Sequence, residues 1–257
     1  MCTAVLLRRP GHAWPIVFAA NRDEMAARAW RPPGRHWPER PEVVAGLDEE
    51  AGGSWLGLND HGLLAAILNR RGSLGPAAGK RSRGELVLEA LDHAEAVRAA
   101  EALTDLNAAA YRSFNLLVAD AQQAFWLRNR GNDATASGIE CFALPPGLSM
   151  LTAYDRNDPQ SPRIRAHLPR FEQAAVPDPG TGDWEAWQRL LASRLFAAEE
   201  GPGAAMTVVT DGGFGTTSSA LIALPAPPRD LDAPAQRSTW LFAAGRPDVT
   251  EFEPVAL

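Results

Sequence analysis

The residue with the greatest chemical reach stands at position 2. Removal of Met1 would leave Cys2 carrying both a thiol and a free α-amine, a nucleophile and a base side by side. An α-amine titrates near ~7.7–8.0 and a thiol near ~8.5, so both exchange protons close to neutrality and no separate histidine base is required. Position alone equally fits a small residue that merely follows the initiator. A second concentration of polar groups, Asn21, Arg22, Asp23 and Glu24, comes directly after an apolar run. If hairpin register brings it to the N-terminus, a carboxylate can hold an ammonium, and an arginine can orient a substrate or stabilise a thiolate. Otherwise the cluster is a solvated turn whose Asn, Asp and Glu cap a helix.

Other chemistry-bearing residues carry less. Cys141 lies inside an apolar run and is expected to be a buried packing residue. Two cysteines and five histidines show no CxxC or zinc-type spacing, so neither a disulfide framework nor a structural metal is expected. His12, His36, His61, His93 and His167 read as surface or hydrogen-bonding residues. The glycines at 212, 213 and 215 lack the lysine and helix start of a phosphate loop and read as a hairpin turn. A basic loop, residues 72–79 followed by Lys80, Arg81 and Arg83, could attract an anionic group but is equally a solvated surface.

The elements that must position these groups follow from the apolar pattern. Residues 3–7 and 15–20 read as a buried hairpin, and the proline-rich stretch 31–41 is expected to cross the surface outside any sheet. Strands are predicted at 43–45, 54–58 and 63–69, with turn residues at 59–62. Spacings of three and four predict one or two amphipathic helices within 82–107. Strands then resume at 114–119, 124–127, 141–144 and 148–153, helices at 162–173 and 184–198, and final strands at 206–210, 219–224 and 239–243. This order has hairpins but no regular βαβ alternation, which argues against a Rossmann or TIM arrangement and suits two sheets flanked by helices. The stretch 174–184 reads as a loop, and one domain over 1–257 is expected.

Composition narrows the function classes. Hydrophobic residues at 46% and charged residues at 22% are those of a folded globular chain. The net charge of −6 supplies no pull toward a phosphate backbone, so nucleic acid is not an expected partner. No signal segment or apolar run of ~18 residues is present, and a cytoplasmic protein without an integral membrane segment is expected.

Four motifs together carry a family resemblance: residues 1–3 (MCT), residues 21–24 (NRDE), residues 52–57 (GGSWLG) and residues 114–120 (FNLLVAD). In these the chain resembles the NRDE family, the transport-and-Golgi-organisation-two family. That family in turn resembles N-terminal-nucleophile hydrolases, which implies an α+β, four-layer αββα sandwich of two mainly antiparallel sheets. The choloylglycine and penicillin V acylase group of those hydrolases begins Met-Cys-Thr and carries an Arg-Asn-x-Asp cluster after its second strand. Asn21 and Asp23 match that cluster, with the arginine at Arg22 instead of before the asparagine.

A further group motif matches at residues 59–63 (NDHGL) running into Leu68 and Asn69, which implies Asn69 as the oxyanion residue. The resemblance therefore implies a hydrolase acting on an amide, thioester or ester of a small molecule. In it Cys2 is the nucleophile, Asp23 positions the amine, Arg22 contacts substrate or thiolate, and Asn21, Glu24, Asn59 and Trp55 line the substrate site. Hydrolysis by this route requires no cofactor. Two departures accompany the match: Ala153 stands where those acylases carry asparagine, leaving Asp155 or Asn157 as substitutes, and Thr217 stands where many relatives carry arginine. Losing an oxyanion donor commonly costs a factor of about 10²–10³ in rate. Family membership also implies an alternative role, a non-catalytic carrier of haem or another apolar ligand, with Cys2 as a thiolate ligand and Trp14, Trp30, Trp37 and Trp55 lining a cleft.

Overall fold

The computed structural model describes residues 2–131, 138–228 and 236–257. Along the chain run β1 (Thr3–Arg8), β2 (Ile16–Met25), β3 (Trp30–Gly34), β4 (Val43–Asp48), β5 (Leu56–Asn59), β6 (Leu64–Asn69), α1 (Glu85–Leu91) and α2 (Ala96–Thr104). They are followed by β7 (Phe114–Ala119), β8 (Ala124–Asn129), β9 (Glu140–Ala143), β10 (Gly147–Leu151), α3 (Pro162–Gln173), α4 (Glu185–Leu191), β11 (Phe214–Leu224), β12 (Thr239–Ala243) and β13 (Glu253–Pro254). These elements form two compact units. One comprises Met1–Arg28 and Pro146–Ala256, the other Ala29–Pro145 together with Leu257.

In the first unit an antiparallel sheet of order β10-β1-β2-β11-β12-β13 is built around the predicted N-terminal hairpin. Successive strand residues point to opposite faces. The odd-numbered Val5, Leu7, Val17, Ala19, Leu221 and Ala223 pack with Ile164 and Phe171 of α3 and with Trp187 and Leu191 of α4. The helix face of the sheet is therefore fixed by parity, and Asn21 and Asp23 continue it.

β2 does not stop where its apolar run stops. It continues through Asn21, Arg22, Asp23 and Glu24 to Met25, because β11 pairs with it along this whole length. Of the two readings of this cluster, the solvated turn is not found: Asn21, Arg22 and Asp23 are a buried stretch of strand. β11 is correspondingly longer than predicted and absorbs residues 214–218. Residues 206–210 form no strand of their own and contribute one isolated bridge, Val209 to Gly215.

α3 has the predicted boundaries, started by Ser161, whose hydroxyl accepts from the Ile164 amide. α4 is shorter than the predicted 184–198. The carbonyl of its last residue, Leu191, takes the Asn21 amide and the Thr207 hydroxyl, and the Leu195 N–H turns instead to the Ser193 hydroxyl. Leu195, beyond the helix end, is 63% exposed.

The second unit has the sheet order β3-β4-β5-β6-β7-β8-β9, with α1 and α2 packed on Val43, Ala45, Leu63, Ala65, Leu116 and Val118. Part of the proline-rich stretch 31–41 joins this sheet after all, as β3. It is an edge strand with one neighbour, and its ladder slips between Arg31 and Gly34 around Pro32 and Pro33, which is how proline is accommodated. The GGSWLG motif finds a packing explanation here. A Cβ on Gly53 would lie 2.5 Å from the Gly84 carbonyl carbon just before α1, and one on Gly46 would lie 2.4 Å from the Trp55 ring. Cys141, expected in the core, is exposed because β9 is the sheet's other edge. Among the described residues, no helix is long and apolar enough to cross a membrane.

Candidate active site

β1 and β2 pair with Thr3 opposite Asn21, so extending the ladder by one residue sets Cys2 opposite Arg22. Cys2 is half-buried, and its thiol donates to the backbone carbonyl of Asp23 at 3.6 Å. Burial pushes the thiol above its usual range and the negative charge of Asp23 adds to this, while the Arg22 guanidinium acts in the opposite sense.

The Asp23 carboxylate lies on the helix face and its side chain is fully buried. Oδ2 accepts from Arg163 Nη1 at 2.9 Å, and Oδ1 accepts from the Thr216 hydroxyl at 2.7 Å. The same Arg163 nitrogen donates to the Thr3 hydroxyl at 2.6 Å, and Nη2 donates to the Gly203 carbonyl at 2.8 Å. Asn21 donates to the carbonyls of Leu191 and Met206, both at 3.0 Å, and accepts from the Ser219 hydroxyl at 2.7 Å.

Thr216 and Ser219 are three residues apart and would ordinarily face opposite ways. A bulge at Thr217, between the pairs Thr216–Asp23 and Ser218–Arg22, inserts one residue and returns both side chains to the same face. Thr217 itself meets Arg22: Nη1 donates to its hydroxyl at 3.3 Å, and that hydroxyl donates to the Arg22 carbonyl at 3.3 Å. Thr217 thus touches an arginine from the neighbouring strand.

The remaining predicted residues fall elsewhere. Glu24 accepts from its neighbour's amide, Met25, at 2.8 Å. Asn157, the potential replacement for a missing amide at Ala153, is committed to β10. It donates to the Leu148 carbonyl at 3.2 Å and accepts from the Met150 amide at 2.6 Å, with its backbone at φ 54°.

Trp55, Asn59 and Asn69 belong to the second unit. Trp55 packs edge-on against Trp30 with ring centroids 5.6 Å apart. Asn59 donates to the carbonyls of Leu91 and His93 and accepts from the amides of His61 and Leu63, which occupies all its hydrogen-bonding positions and leaves none for a substrate. These bonds hold the turn after β5 against the end of α1. Asn69 ends β6 opposite Phe114.

Arg163 was missed by the motif reading. Its spacing from His167 and Phe171, four and eight residues on, places it on the buried stripe of α3, and a charge on such a stripe is the signal that could have found it. The histidines do not converge on a haem site: His12 and His61 are exposed, His93 is half-buried just after α1, His36 bonds the Pro32 carbonyl, and His167 is sealed in the core.

Two antiparallel sheets, each carrying its own helix pair, make an α+β fold like that of the N-terminal-nucleophile hydrolases. Solved structures agree: a Caenorhabditis elegans N-acylethanolamine-hydrolyzing acid amidase ortholog matches with a TM-score of 0.56 at 13% identity, covering 92% of this chain and 98% of that one. The C2A mutant of a conjugated bile acid hydrolase from Clostridium perfringens matches with a TM-score of 0.50 at 10% identity, covering 100% and 97%. Residues 1–175 match the family described as Transport and Golgi organisation 2, and the chain belongs to that family. The Bos taurus Transport and Golgi organization protein 2 homolog is 36% identical over 121 residues, 42% of this chain and 40% of the relative. The Homo sapiens homolog is 34% identical over 118 residues, 44% and 41%. The chain thus spans about 40% of the length of the curated relatives it matches.

Proposed function

We propose that the protein is an N-terminal-cysteine hydrolase acting on an amide, thioester or ester bond of a small molecule. The observation that supports this most is the seat of Cys2: a thiol at the head of β1, 3.6 Å from the Asp23 carbonyl, on a strand pair whose neighbouring polar side chains are buried and mutually bonded. Buried polar groups must be desolvated, so such a network is costly to build for packing alone.

The surroundings hold the thiol in its neutral form, so attack needs a base at hand. In this reading the α-amine of Cys2 is that base, once Met1, which lies outside the described residues, has been removed. The amine takes the thiol proton as sulfur bonds to the carbonyl carbon, and the carbonyl oxygen becomes an oxyanion. Collapse breaks the scissile bond, the ammonium returns the proton to the leaving group, and an acyl thioester on Cys2 remains. Water then attacks with its proton going to the amine, the C–S bond breaks, and the thiol is restored. Arg22 contributes positive charge toward the thiolate or the substrate. The two solved hydrolases that share the fold are named for hydrolysis, in agreement with the reading.

The test is a single-turnover reaction with an activated short-chain acyl ester. An adduct on Cys2 of the wild type, absent from Cys2→Ala, is expected. Absence of any Cys2 adduct, together with saturable 1:1 haem binding lost on changing Cys2 or Arg22, would replace the enzyme by the carrier.

A further inference from the structure

We propose that Arg163 is a positioning residue for the nucleophile: its guanidinium ties Thr3, the residue after Cys2, to the Asp23 carboxylate and supplies the positive charge that offsets the negative charge of Asp23. The proposal rests on the hydrolase reading for its purpose, but its geometry stands apart from it. One nitrogen of Arg163 bridges the Thr3 hydroxyl at 2.6 Å and Asp23 Oδ2 at 2.9 Å, and the other reaches the Gly203 carbonyl at 2.8 Å. Both partners of this ion pair are almost wholly buried, at 2% and 0% side-chain exposure. Thr216 holds the other carboxylate oxygen, so the carboxylate can turn neither toward nor away from the N-terminal strand without breaking a buried bond.

The tie also orders the charges. The charged groups bearing on the thiol are Asp23 and Arg22 from β2 and the amino end of the chain; from α3, Arg163 acts on the thiol through Asp23. A bare Asp23 carboxylate would oppose formation of the thiolate, and a bare guanidinium would favour it. The pair therefore sets the reactivity of Cys2 between these limits while fixing the strand that carries it.

Site-resolved alkylation of Cys2 by iodoacetamide, followed against pH by mass spectrometry of the full chain, tests this. Arg163→Met should raise the pH midpoint by about one unit, which is about tenfold slower alkylation at a pH below the midpoint. Asp23→Asn should lower the midpoint most, the double variant should fall between Asp23→Asn and wild type, and Arg163→Lys should restore the wild-type midpoint. If Arg163→Met fails to fold, the separation between Asp23→Asn and the double variant decides. Equal midpoints there, or an Arg163→Met midpoint that stays put or moves down toward a free cysteine, would overturn the proposal. No turnover is required, so the ordered midpoints without an acyl adduct would retain the Arg163 tie and remove the hydrolase reading, and the converse result would do the opposite.

Discussion

Asn21 and Asn59 perform the same local task in the two units, and the difference between them separates architecture from chemistry. Each is a buried strand residue whose side-chain amide donates to two backbone carbonyls, one of them on the last residue of a helix: Leu191 of α4 for Asn21, Leu91 of α1 for Asn59. Both satisfy helix-end carbonyls that have no partner within their helix. Asn59 completes its bonds on its own turn, through the amides of His61 and Leu63. Asn21 accepts from a side chain, Ser219, and lies two residues before Asp23 on the face where Thr216 and Arg163 meet that carboxylate. The first asparagine shares its strand face with the buried polar network around Asp23, and the second is a local staple.

The largest expected effect comes from breaking that network at its charge. Arg163→Met should destabilise the protein by about 3–5 kcal/mol by leaving Asp23 buried and alone, and adding Asp23→Asn should recover most of the loss. Denaturant unfolding of the two variants measures this, and an equal loss in both would mean that packing, not charge, dominates. Next come the two asparagines. Asn21→Ala and Asn59→Ala should each cost about 1–3 kcal/mol through the carbonyls they abandon. Only Asn21→Ala should also slow acylation of Cys2, whereas Asn59→Ala should leave the single-turnover rate of the folded protein unchanged; equal kinetic effects would dissolve the distinction.

A smaller effect concerns acid. His167, buried in the first unit, has its pKa lowered to about 4, first by desolvation and then by the charges of Arg170 and Arg163. A depressed histidine contributes stability that is complete above its unfolded value near ~6.5 and is lost as pH falls toward about 4, at no more than about 1.4 kcal/mol per pH unit. His167→Gln should flatten the pH dependence of unfolding across that window. The smallest effect is at Cys141. On an exposed edge strand, Cys141→Ala should change stability by less than about 0.5 kcal/mol and leave acylation of Cys2 untouched.

The hairpin that carries Cys2, the strand at Phe114–Ala119 and the helix Pro162–Gln173 were legible because each has a strong local pattern and a clear boundary signal, such as Ser161 before Pro162. The continuation of β2 through Asn21, Arg22 and Asp23 was not, because polar residues in a strand are stabilised by a partner 195 residues away at Thr217 and by a helix charge 140 residues away at Arg163. The end of α4 was hidden for the same reason: the groups that satisfy the Leu191 carbonyl come from Asn21 and Thr207. Motif order pointed to Cys2, Arg22 and Asp23, but it could not show that Asp23 is gripped by Arg163 or that Asn59 has no bonding position to offer. Side-chain bonds across long sequence separation leave no periodic trace.

The central claim is that Cys2 is an acylated nucleophile with a free amine. Intact-mass and peptide-level mass spectrometry of the purified protein after brief exposure to an activated short-chain ester tests it in one measurement. The account predicts a chain beginning at Cys2 that carries one acyl group on that residue; a retained Met1, or an adduct confined to Cys141, would contradict it.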